Sequence, residues 1–441
     1  MSLPRYSEYR DSGVEWLGSV PTHWRLHRLG YFFVERREKV SDKDFPPLSV
    51  TKNGVVPQLE TAAKSDDGDN RKLVRAGDFV INSRSDRKGS SGAAELDGSV
   101  SLINTVLKPV GRIDIRFAHH LFRSAPFQEE YYRFGKGIVA DLWSTNYSEM
   151  RNISLAVPDL REQEDVADFL DRETAKIDAL IAEQDKLLAL LAEKRQATIS
   201  HAVTRGLDAS APMKDSGIPW LGEVPTHWTV AMLRRFVARF EQGWSPECES
   251  RVPEAGEWGV LKAGCVNGGM FNALESKALP SPLHPRPELE IKGGDVLMSR
   301  ASGSPKLIGS VAYIEAAPSM LMLSDKIFRL GLSADVDPEF FALLMGSQPL
   351  RQQIEQAIGG AEGLANNLPQ SSIKDFWICV PPESEQRAIV ECTKAELASL
   401  RLLAEVGQRT VHLLAERRSA LIAAAVTGQI DVRGFLPAQA A

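Results

Sequence analysis

The sequence predicts an α+β protein built from two similar halves, in which each half has a globular part followed by one long helix. The first observation is a fourteen-residue phrase at residues 11–24, which recurs at residues 215–228 with eleven identities and an offset of 204. The second is that strand-like runs and then a helical run follow each copy. The third is that each half closes with a long charged segment in which apolar residues recur every three or four positions. Such repetition indicates an internal duplication.

Length and composition set the broad class of the protein. A chain of 441 residues with 43% hydrophobic residues can bury more than one core. Its longest apolar runs, at residues 187–192 and 420–426, are far too short to cross a bilayer, and no basic and apolar leader is present. We therefore expect a cytoplasmic protein without a membrane partner. The net charge of −6 excludes a uniformly basic surface but allows local basic faces.

All four cysteines lie in the second half of the chain. They are Cys248, Cys265, Cys379 and Cys392, and no two of them form a CxxC pair. Structural zinc sites usually draw on such paired spacings. We therefore expect no metal site, and we interpret these cysteines as small apolar residues in a reducing compartment.

The globular part of each half reads as a sheet with long loops, followed by a helix. In the first half the predicted strands are residues 48–50, 54–56, 78–81 and 99–106, and the helix is residues 117–132. In the second half the strands are residues 260–263, 295–298, 309–314 and 326–330, and the helix is residues 338–358. The sequence thus predicts an α+β domain twice.

Each half ends in a predicted helix with a narrow apolar seam. Residues 161–203 contain neither Pro nor Gly, and residues 384–427 form the matching segment. The predicted seam residues are Ile177, Leu180, Leu187, Leu191, Leu397, Leu400, Val411 and Leu414. Gly206 and Gly428 follow the two segments and suit helix termination. We expect the helices to pack on each other as a coiled coil.

Two roles for this coiled coil are open. If the helices run antiparallel, they would hold the globular parts at a fixed separation, which suits two DNA half-sites about one helical turn apart. A coiled coil that serves oligomerisation alone is the alternative.

Polar loops in both halves carry the residue types that contact DNA. Arg offers two donors to guanine, Asn matches adenine, and Lys supplies a point charge for phosphate. Two Ser-Arg dipeptides, Ser83-Arg84 and Ser299-Arg300, each follow a Gly-Asp turn and a predicted strand, so they occupy equivalent positions. The predicted DNA-binding residues are Lys52, Asn53, Arg71, Lys72, Arg84, Arg87, Lys88, Lys136, Lys262, Asn267, Arg300, Ser302, Lys306, Lys326, Asn366 and Asn367. Ordinary polar surface is the alternative interpretation.

No catalytic motif is visible in the sequence. His23 and His227 precede Trp in the repeated phrase, but no nearby Cys, Asp or Glu completes a catalytic pattern, so we interpret them as packing beside Trp. The sequence contains no P-loop, no Gly-rich nucleotide fingerprint, no Asn-Pro-Pro-aromatic methyltransferase motif, no HExxH and no GxSxG. We expect a protein that is not an enzyme.

The duplicated motifs together resemble the specificity (S) subunit of type I restriction-modification enzymes. The resemblance rests on the phrase Asp-Ser-Gly-x-x-Trp-Leu-Gly-x-x-Pro-Thr-His-Trp, on the helix start Pro-Pro-x-x-Glu-Gln at residues 381–386, and on the helix end at residues 416–428. It covers nearly the whole chain. The first helix start departs from the pattern because it has a single Pro, at residue 158.

The resemblance implies a non-catalytic subunit for DNA recognition. It implies two target recognition domains, each reading one half of a bipartite asymmetric site in double-stranded DNA, and two antiparallel conserved helices that set the spacer and dock two methyltransferase (M) subunits. It also implies restriction (R) subunits, with S-adenosylmethionine, ATP and Mg²⁺ bound by the partners and no cofactor in this chain. The implied layout is residues 1–158, first recognition domain; 159–206, first helix; 207–381, second recognition domain; 382–432, second helix; and 433–441, tail.

Two other functions remain open from the sequence. A coiled-coil scaffold whose globular ends bind proteins or ligands would show no salt-dependent affinity for DNA. A nuclease or methyltransferase in its own right would show activity as the purified chain alone.

Overall fold

The computed structural model describes residues 3–59, 68–84, 87–137, 143–359 and 366–435. The chain divides into two compact units, one formed by Met1–Asp185 with Gln408–Ala441 and the other by Lys186–Gly407. Each unit therefore contains the globular part of one half of the sequence together with a segment of each long helix.

The first unit is built mainly of antiparallel strands. Its strands are β1 (Tyr9–Asp11), β2 (Ser19–Pro21), β3 (Arg25–Arg28), β4 (Phe33–Glu35), β5 (Lys39–Val40), β6 (Leu48–Thr51), β7 (Gly54–Pro57), β8 (Arg71–Val74), β9 (Phe79–Asn82), β10 (Ser91–Ala93), β11 (Gly98–Val100), β12 (Asn104–Pro109) and β13 (Ser154–Val157). Its helices are α1 (Ile115–Arg123), α2 (Ala125–Arg133), α3 (Tyr147–Met150) and the first part of α4 (Leu160–Arg205). The larger sheets have the orders β10-β9-β12-β4 and β11-β8-β5, and β13 pairs with β3.

The second unit has a similar mixture of strands and helices. Its strands are β14 (Met213–Asp215), β15 (Glu223–Pro225), β16 (Thr229–Met232), β17 (Val237–Gln242), β18 (Gly259–Leu261), β19 (Ser276–Ala278), β20 (Val296–Ser299), β21 (Ala301–Ser302), β22 (Val311–Tyr313), β23 (Leu321–Met322), β24 (Ile327–Leu332), β25 (Asn366–Asn367) and β26 (Trp377–Val380). Its helices are α5 (Pro338–Met345), α6 (Gln348–Ala357), α7 (Gln370–Lys374) and α8 (Glu383–Val426), of which α8 ends in the first unit. The larger sheets have the orders β17-β24-β20-β22 and β19-β18-β23.

The four-stranded sheets of the two units follow the same order. In each, the strand before the Ser-Arg loop (β9 or β20) pairs with the strand after that loop (β10 or β22) on one side. On the other side, β9 pairs with β12 and β20 pairs with β24, and both partners are longer strands. These longer strands pair in turn with the first strand of each sheet, β4 or β17. The two Ser-Arg loops therefore start from equivalent strands.

The helix predicted after each sheet is broken into two. Ser124 separates α1 from α2 with ψ 145°, and Ser347 separates α5 from α6 with ψ 156°. Each serine is followed two positions later by a proline, Pro126 or Pro349, which is acceptable only near the start of a helix because it lacks an N–H. The single helices expected at residues 117–132 and 338–358 were therefore wrong at these breaks.

The two long helices agree with the sequence prediction to within two residues at each end. They end just before Gly206 and Gly428, whose φ angles of +75° and +73° fall in the left-handed region that favours glycine. Both helices contribute to the core of each unit. In the first unit, Val166 of α4 and Val426 of α8 are buried in the core around Phe117.

Within each unit the segments of α4 and α8 run antiparallel. In the first unit, Val166 of α4 shares a core with Val426 of α8. Asp178 lies further along α4, and its Oδ1 is 2.8 Å from Nε of Arg418, which lies earlier in α8 than Val426. In the second unit, Thr198 Oγ1 donates to Glu396 Oε1 at 3.0 Å. Later residues of α4 there share a core with the beginning of α8.

A carboxylate, buried in the first unit and half-buried in the second, links each repeated phrase to the start of a long helix. In α4, Glu162 accepts hydrogen bonds from Trp24 Nε1 (3.0 Å) and Tyr6 Oη (2.8 Å), and its second oxygen lies 2.8 Å from His23 Nε2. Burial, and then the bond to Glu162, raise the pKa of the Tyr6 hydroxyl. The histidine and the tryptophan of the phrase therefore bond to the same structural carboxylate, and the His23 ring lies 5.5 Å from that of Tyr6.

The second unit repeats this arrangement with Glu385. Its Oε2 accepts from Trp228 Nε1 at 3.1 Å and lies 2.8 Å from His227 Nε2. The glutamine that follows each glutamate also makes the same contact in both units, because its side-chain oxygen accepts a hydrogen bond from a backbone N–H. Gln163 Oε1 accepts from the Asp114 backbone N–H at 2.8 Å, and Gln386 Oε1 accepts from the equivalent backbone N–H, that of residue 337, at 2.7 Å.

The cysteines only partly follow the sequence interpretation. Cys265 and Cys379 are buried, and burial raises the pKa of each thiol to about 12. Cys248 is half-buried, whereas Cys392 lies exposed on α8. In the part of the chain that the structure describes, no helix is both long and apolar enough to cross a membrane.

Candidate nucleic-acid interface

The first Ser-Arg loop begins where β9 ends. A hydrogen bond from Thr145 N to Ser83 O (3.0 Å) and a backbone bridge between Arg84 and Ser144 attach it to the segment before α3. Ser144 also forms two backbone hydrogen bonds with Lys136, at 2.9 and 3.0 Å. The structure thus brings two predicted contact residues, Arg84 and Lys136, to one surface, and both side chains are exposed.

The second Ser-Arg loop is attached to a later loop in the same way. The short strands β21 and β25 pair, with Ser302 opposite Asn366. Leu368 N donates to Arg300 O at 3.0 Å, and Arg300 N donates to Lys326 O at 2.8 Å. The predicted residues that lie together here are Arg300, Ser302, Lys326, Asn366 and Asn367.

Four other predicted residues of the first unit are exposed. Lys52 and Asn53 form the turn between β6 and β7. Arg87 and Lys88 follow the first Ser-Arg loop, and Lys88 Nζ pairs with Glu129 Oε1 at 2.6 Å. All four are placed where a nucleic acid could reach them.

Arg71 is a correction to the sequence prediction. Its side chain is 5% exposed, with Nε donating to Ser99 Oγ at 2.8 Å and Nη2 donating to Ser99 O at 3.0 Å. Burial lowers the pKa of its guanidinium. The neighbouring Lys72 is half-buried and bonds to Glu35 (3.2 Å) and to Asn104 O (2.8 Å). Arg71 supports the β8–β11 pair and is withdrawn from the candidate contact residues.

A positively charged cleft adjoins the first Ser-Arg loop. It has a volume of about 350 Å³, and Ser83 forms part of its wall. Glu35 in the cleft is shared by Lys72 (3.2 Å) and Arg37 (2.7 Å), and Lys39 adds a further cation. Because the lining of the cleft carries three cations and one carboxylate, the cleft can accept a phosphate beside the loop.

Two aromatic residues beside Arg84 were missed by the sequence analysis. Tyr132 and Trp143 stack with ring centroids 5.9 Å apart and an interplanar angle of 28°. Together with Arg84 and Lys88 they line a small pocket. The available signal was the aromatic residues on either side of Lys136, with Tyr131, Tyr132 and Phe134 before it and Trp143 after it.

The remaining predicted residues of the second unit lie in two other loops. Lys262 and Asn267 belong to the loop after β18, which lies beside α4 because Arg195 Nη2 donates to Gly268 O at 2.7 Å. Lys306 is exposed in the loop between β21 and β22, and its backbone oxygen accepts from an arginine of α6 at 3.3 Å.

The predicted seam is partly displaced in α4. Ile177 is buried, but Leu180 and Leu187 are 54% and 43% exposed, and Ile181 and Leu188, each one residue later, are half-buried instead. An α-helix has 3.6 residues per turn, so a buried series can step by four where the sequence offers leucines at adjacent positions. The other predicted seam residues are half-buried: Leu191, Leu397, Leu400, Val411 and Leu414.

Comparison with known proteins identifies relatives of this chain. No family model matches the sequence. The chain is 30% identical over 181 residues to the type I restriction enzyme EcoEI specificity subunit of Escherichia coli, a match that covers 41% of this chain and 30% of that protein. It is 23% identical over 289 residues to the EcoKI specificity subunit of E. coli strain K12, covering 65% of this chain and 59% of that protein. Both matches span less than two thirds of these relatives.

Two further comparisons extend over nearly the whole chain. The type I restriction enzyme MjaX specificity subunit of Methanocaldococcus jannaschii is 21% identical to this chain over 459 aligned positions. The match covers 98% of this chain and 99% of that protein. A solved chain from a study of complex assembly and conformational transition in a type I R-M system superposes with a TM-score of 0.68 at 16% identity, covering 92% of this chain and 98% of the other. The protein is thus similar in sequence to the specificity subunits of type I restriction enzymes and shares the fold of a solved chain from such a system.

Proposed function

We propose that the chain is the DNA sequence-specificity subunit of a type I restriction-modification complex. Each unit reads one half of a bipartite, asymmetric site in double-stranded DNA. The observation that carries this proposal is the pair of Ser-Arg loops, which start from equivalent strands and are each joined to a second polar loop. Two equivalent surfaces suit two half-sites, and their different side chains suit two different sequences.

The proposed organisation is an internal duplication of a recognition domain and a long helix. The domain layout is the one implied by the sequence, with recognition domains at residues 1–158 and 207–381. It is supported by the shared strand order and by the repeated contacts of Glu162 and Glu385 with the tryptophans of the two phrases. The long helices set the spacer between the half-sites as an antiparallel coiled coil.

The long helices also dock two methyltransferase subunits in this proposal. Exposed leucines on α4, including Leu180 and Leu187, support a protein-facing surface because large apolar side chains on one helix face are costly to leave in water. Restriction subunits join the same cytoplasmic complex. The chain itself is not an enzyme, and the partners bind S-adenosylmethionine, ATP and Mg²⁺.

The decisive test is methylation of a random-sequence DNA library. The chain is co-expressed with the methyltransferase encoded beside it, and modified bases are located by long-read sequencing. We expect a split motif with a fixed unspecified gap, which disappears when the chain is omitted. A stable complex that yields no motif contradicts the proposal and favours a scaffold.

A further inference from the structure

The small pocket beside Arg84 has walls that are held firmly in place. Trp143 Nε1 donates to Tyr132 O at 3.0 Å, and the two rings stack. The indole also fits against Gly135, where an added Cβ would lie 2.1 Å from Trp143 Nε1. Any larger residue at position 135 would therefore displace the indole.

The size of the pocket limits what can enter it. Its volume is about 20 Å³. A cavity needs a volume of roughly 10–15 Å³ to hold one water molecule. The pocket therefore has room for one group of about the size of a water molecule or a methyl group, and a whole base ring cannot enter it.

The chemistry of the lining combines apolar walls with donors. Tyr132 and Trp143 form an aromatic wall, Lys88 Nζ lies 5.3 Å from the Tyr132 ring centroid, and Arg84 also lines the pocket. Ser91 also lines the pocket and is 1% exposed, and its Oγ has no hydrogen-bond partner among the described residues. A ligand that presents a methyl group next to a hydrogen-bond acceptor would satisfy both kinds of wall.

One base edge in the major groove of DNA has this pattern. Thymine presents its 5-methyl group beside the O4 acceptor, and apolar side chains are the usual contact for that methyl group. We propose that this pocket receives the 5-methyl group of a thymine in the half-site read by the first unit, with Tyr132 and Trp143 as specificity-determining residues. Arg84 and Ser91 supply donors beside the O4 atom. This inference rests on the proposed function of the chain.

The second unit has different chemistry at the equivalent place. Ser144, next to Trp143, pairs with the first Ser-Arg loop, whereas Asn366 and Asn367 pair with the loop after Arg300. Amide side chains of Asn match adenine, whereas an aromatic wall matches a methyl group. The thymine contact is therefore assigned to the first unit alone.

The test compares thymine with uracil, which differ only by the 5-methyl group. The methyltransferase complex is titrated with duplexes of its own motif in which one thymine at a time, on either strand, is replaced by uracil. Burial of one methyl group predicts about fourfold weaker binding at one position of one half-site. With Trp143→Ala the complex should bind the thymine and uracil duplexes equally, and Trp143→Phe should restore part of the preference.

Gly135→Ala provides an independent variant because it displaces the indole without removing it. It should lose the preference for thymine as Trp143→Ala does, while complex assembly and reading of the other half-site stay unchanged. A motif with no uracil-sensitive thymine overturns the proposal, as does an unchanged thymine preference in Trp143→Ala. If the wild-type complex yields no split motif, the proposed function fails first, so the two failures are distinguishable.

Discussion

At the residue scale, surroundings decide what an arginine can do. Arg71 begins β8 and Arg84 follows β9, yet Arg71 is buried against Ser99 and Arg84 is exposed. Composition could not separate them, because burial depends on which strand lies alongside. Trp143 was missed for a related reason, since its role depends on Gly135 and Tyr132, which lie on another segment.

The two Ser-Arg loops provide the first prediction. Arg84→Ala should weaken recognition of one half-site and Arg300→Ala the other, each by about 1–3 kcal/mol if the guanidinium contacts a guanine. Affinity for cognate and scrambled duplexes gives the measurement. Arg75→Ala and Arg251→Ala are matched controls, because both are exposed and paired with carboxylates away from the loops. Equal losses on both duplexes would mean that the loops contact phosphate only.

His119 provides a prediction for pH. Its ring nitrogens face two donors, the Ala93 backbone N–H at 3.2 Å and Arg123 Nη1 at 2.8 Å. Burial, and then the charge of Arg123, lower the pKa of His119 from 6.5 to about 4. Because the folded protein requires the neutral ring, stability is fully present above pH 6.5 and is lost as the pH falls from 6.5 to 4, by up to about 3 kcal/mol.

Urea unfolding of the full chain between pH 7 and pH 4 tests this expectation. His119→Gln should lose less stability over that range than the wild type. The exposed His284, in the second unit, provides the control as His284→Gln. An identical pH dependence of wild type and His119→Gln would show that His119 does not titrate in this way.

At the element scale, the link between phrase and helix should be stronger in the first unit. Glu162 is 7% exposed and accepts from two buried donors as well as contacting His23, whereas Glu385 is 26% exposed. Glu162→Ala should lower the free energy of unfolding by about 2–4 kcal/mol because buried donors lose their acceptor. Glu385→Ala should cost less, because water can replace the carboxylate. Denaturant unfolding gives both values, with the exposed Glu164→Ala as control; equal losses would contradict the argument.

Helices could be predicted where the sequence pattern that specifies them is local and continuous. The long helices follow from a long apolar repeat without proline and from a terminal glycine, so their bounds agree closely with the sequence prediction. The breaks at Ser124 and Ser347 also had a local signal, the proline two positions later. The seam of α4 did not, because Leu187 and Leu188 are adjacent, and only the packing around them decides which one is buried.

At the scale of the whole molecule, the helices should determine the gap between the half-sites. Inserting one heptad after Asp185 and another after Gly407 lengthens both helices by about 10 Å, which corresponds to about three base pairs of duplex. We expect the methylated motif to keep both half-sites and gain a longer gap. As a control, a heptad is inserted in α4 alone, which makes the two helices unequal in length and should disturb their packing. A gap of unchanged length would exclude this role of the helices.

The division of the chain into units has a consequence for its synthesis. The second unit is formed by one continuous stretch, Lys186–Gly407, whereas the first unit also needs Gln408–Ala441. Ile422, Ala425 and Val432 are buried in the core of the first unit. Domains usually fold in the order in which the ribosome releases them. Here the N-terminal unit cannot complete its core until residues 408–432, which follow the whole of the second unit, have been translated.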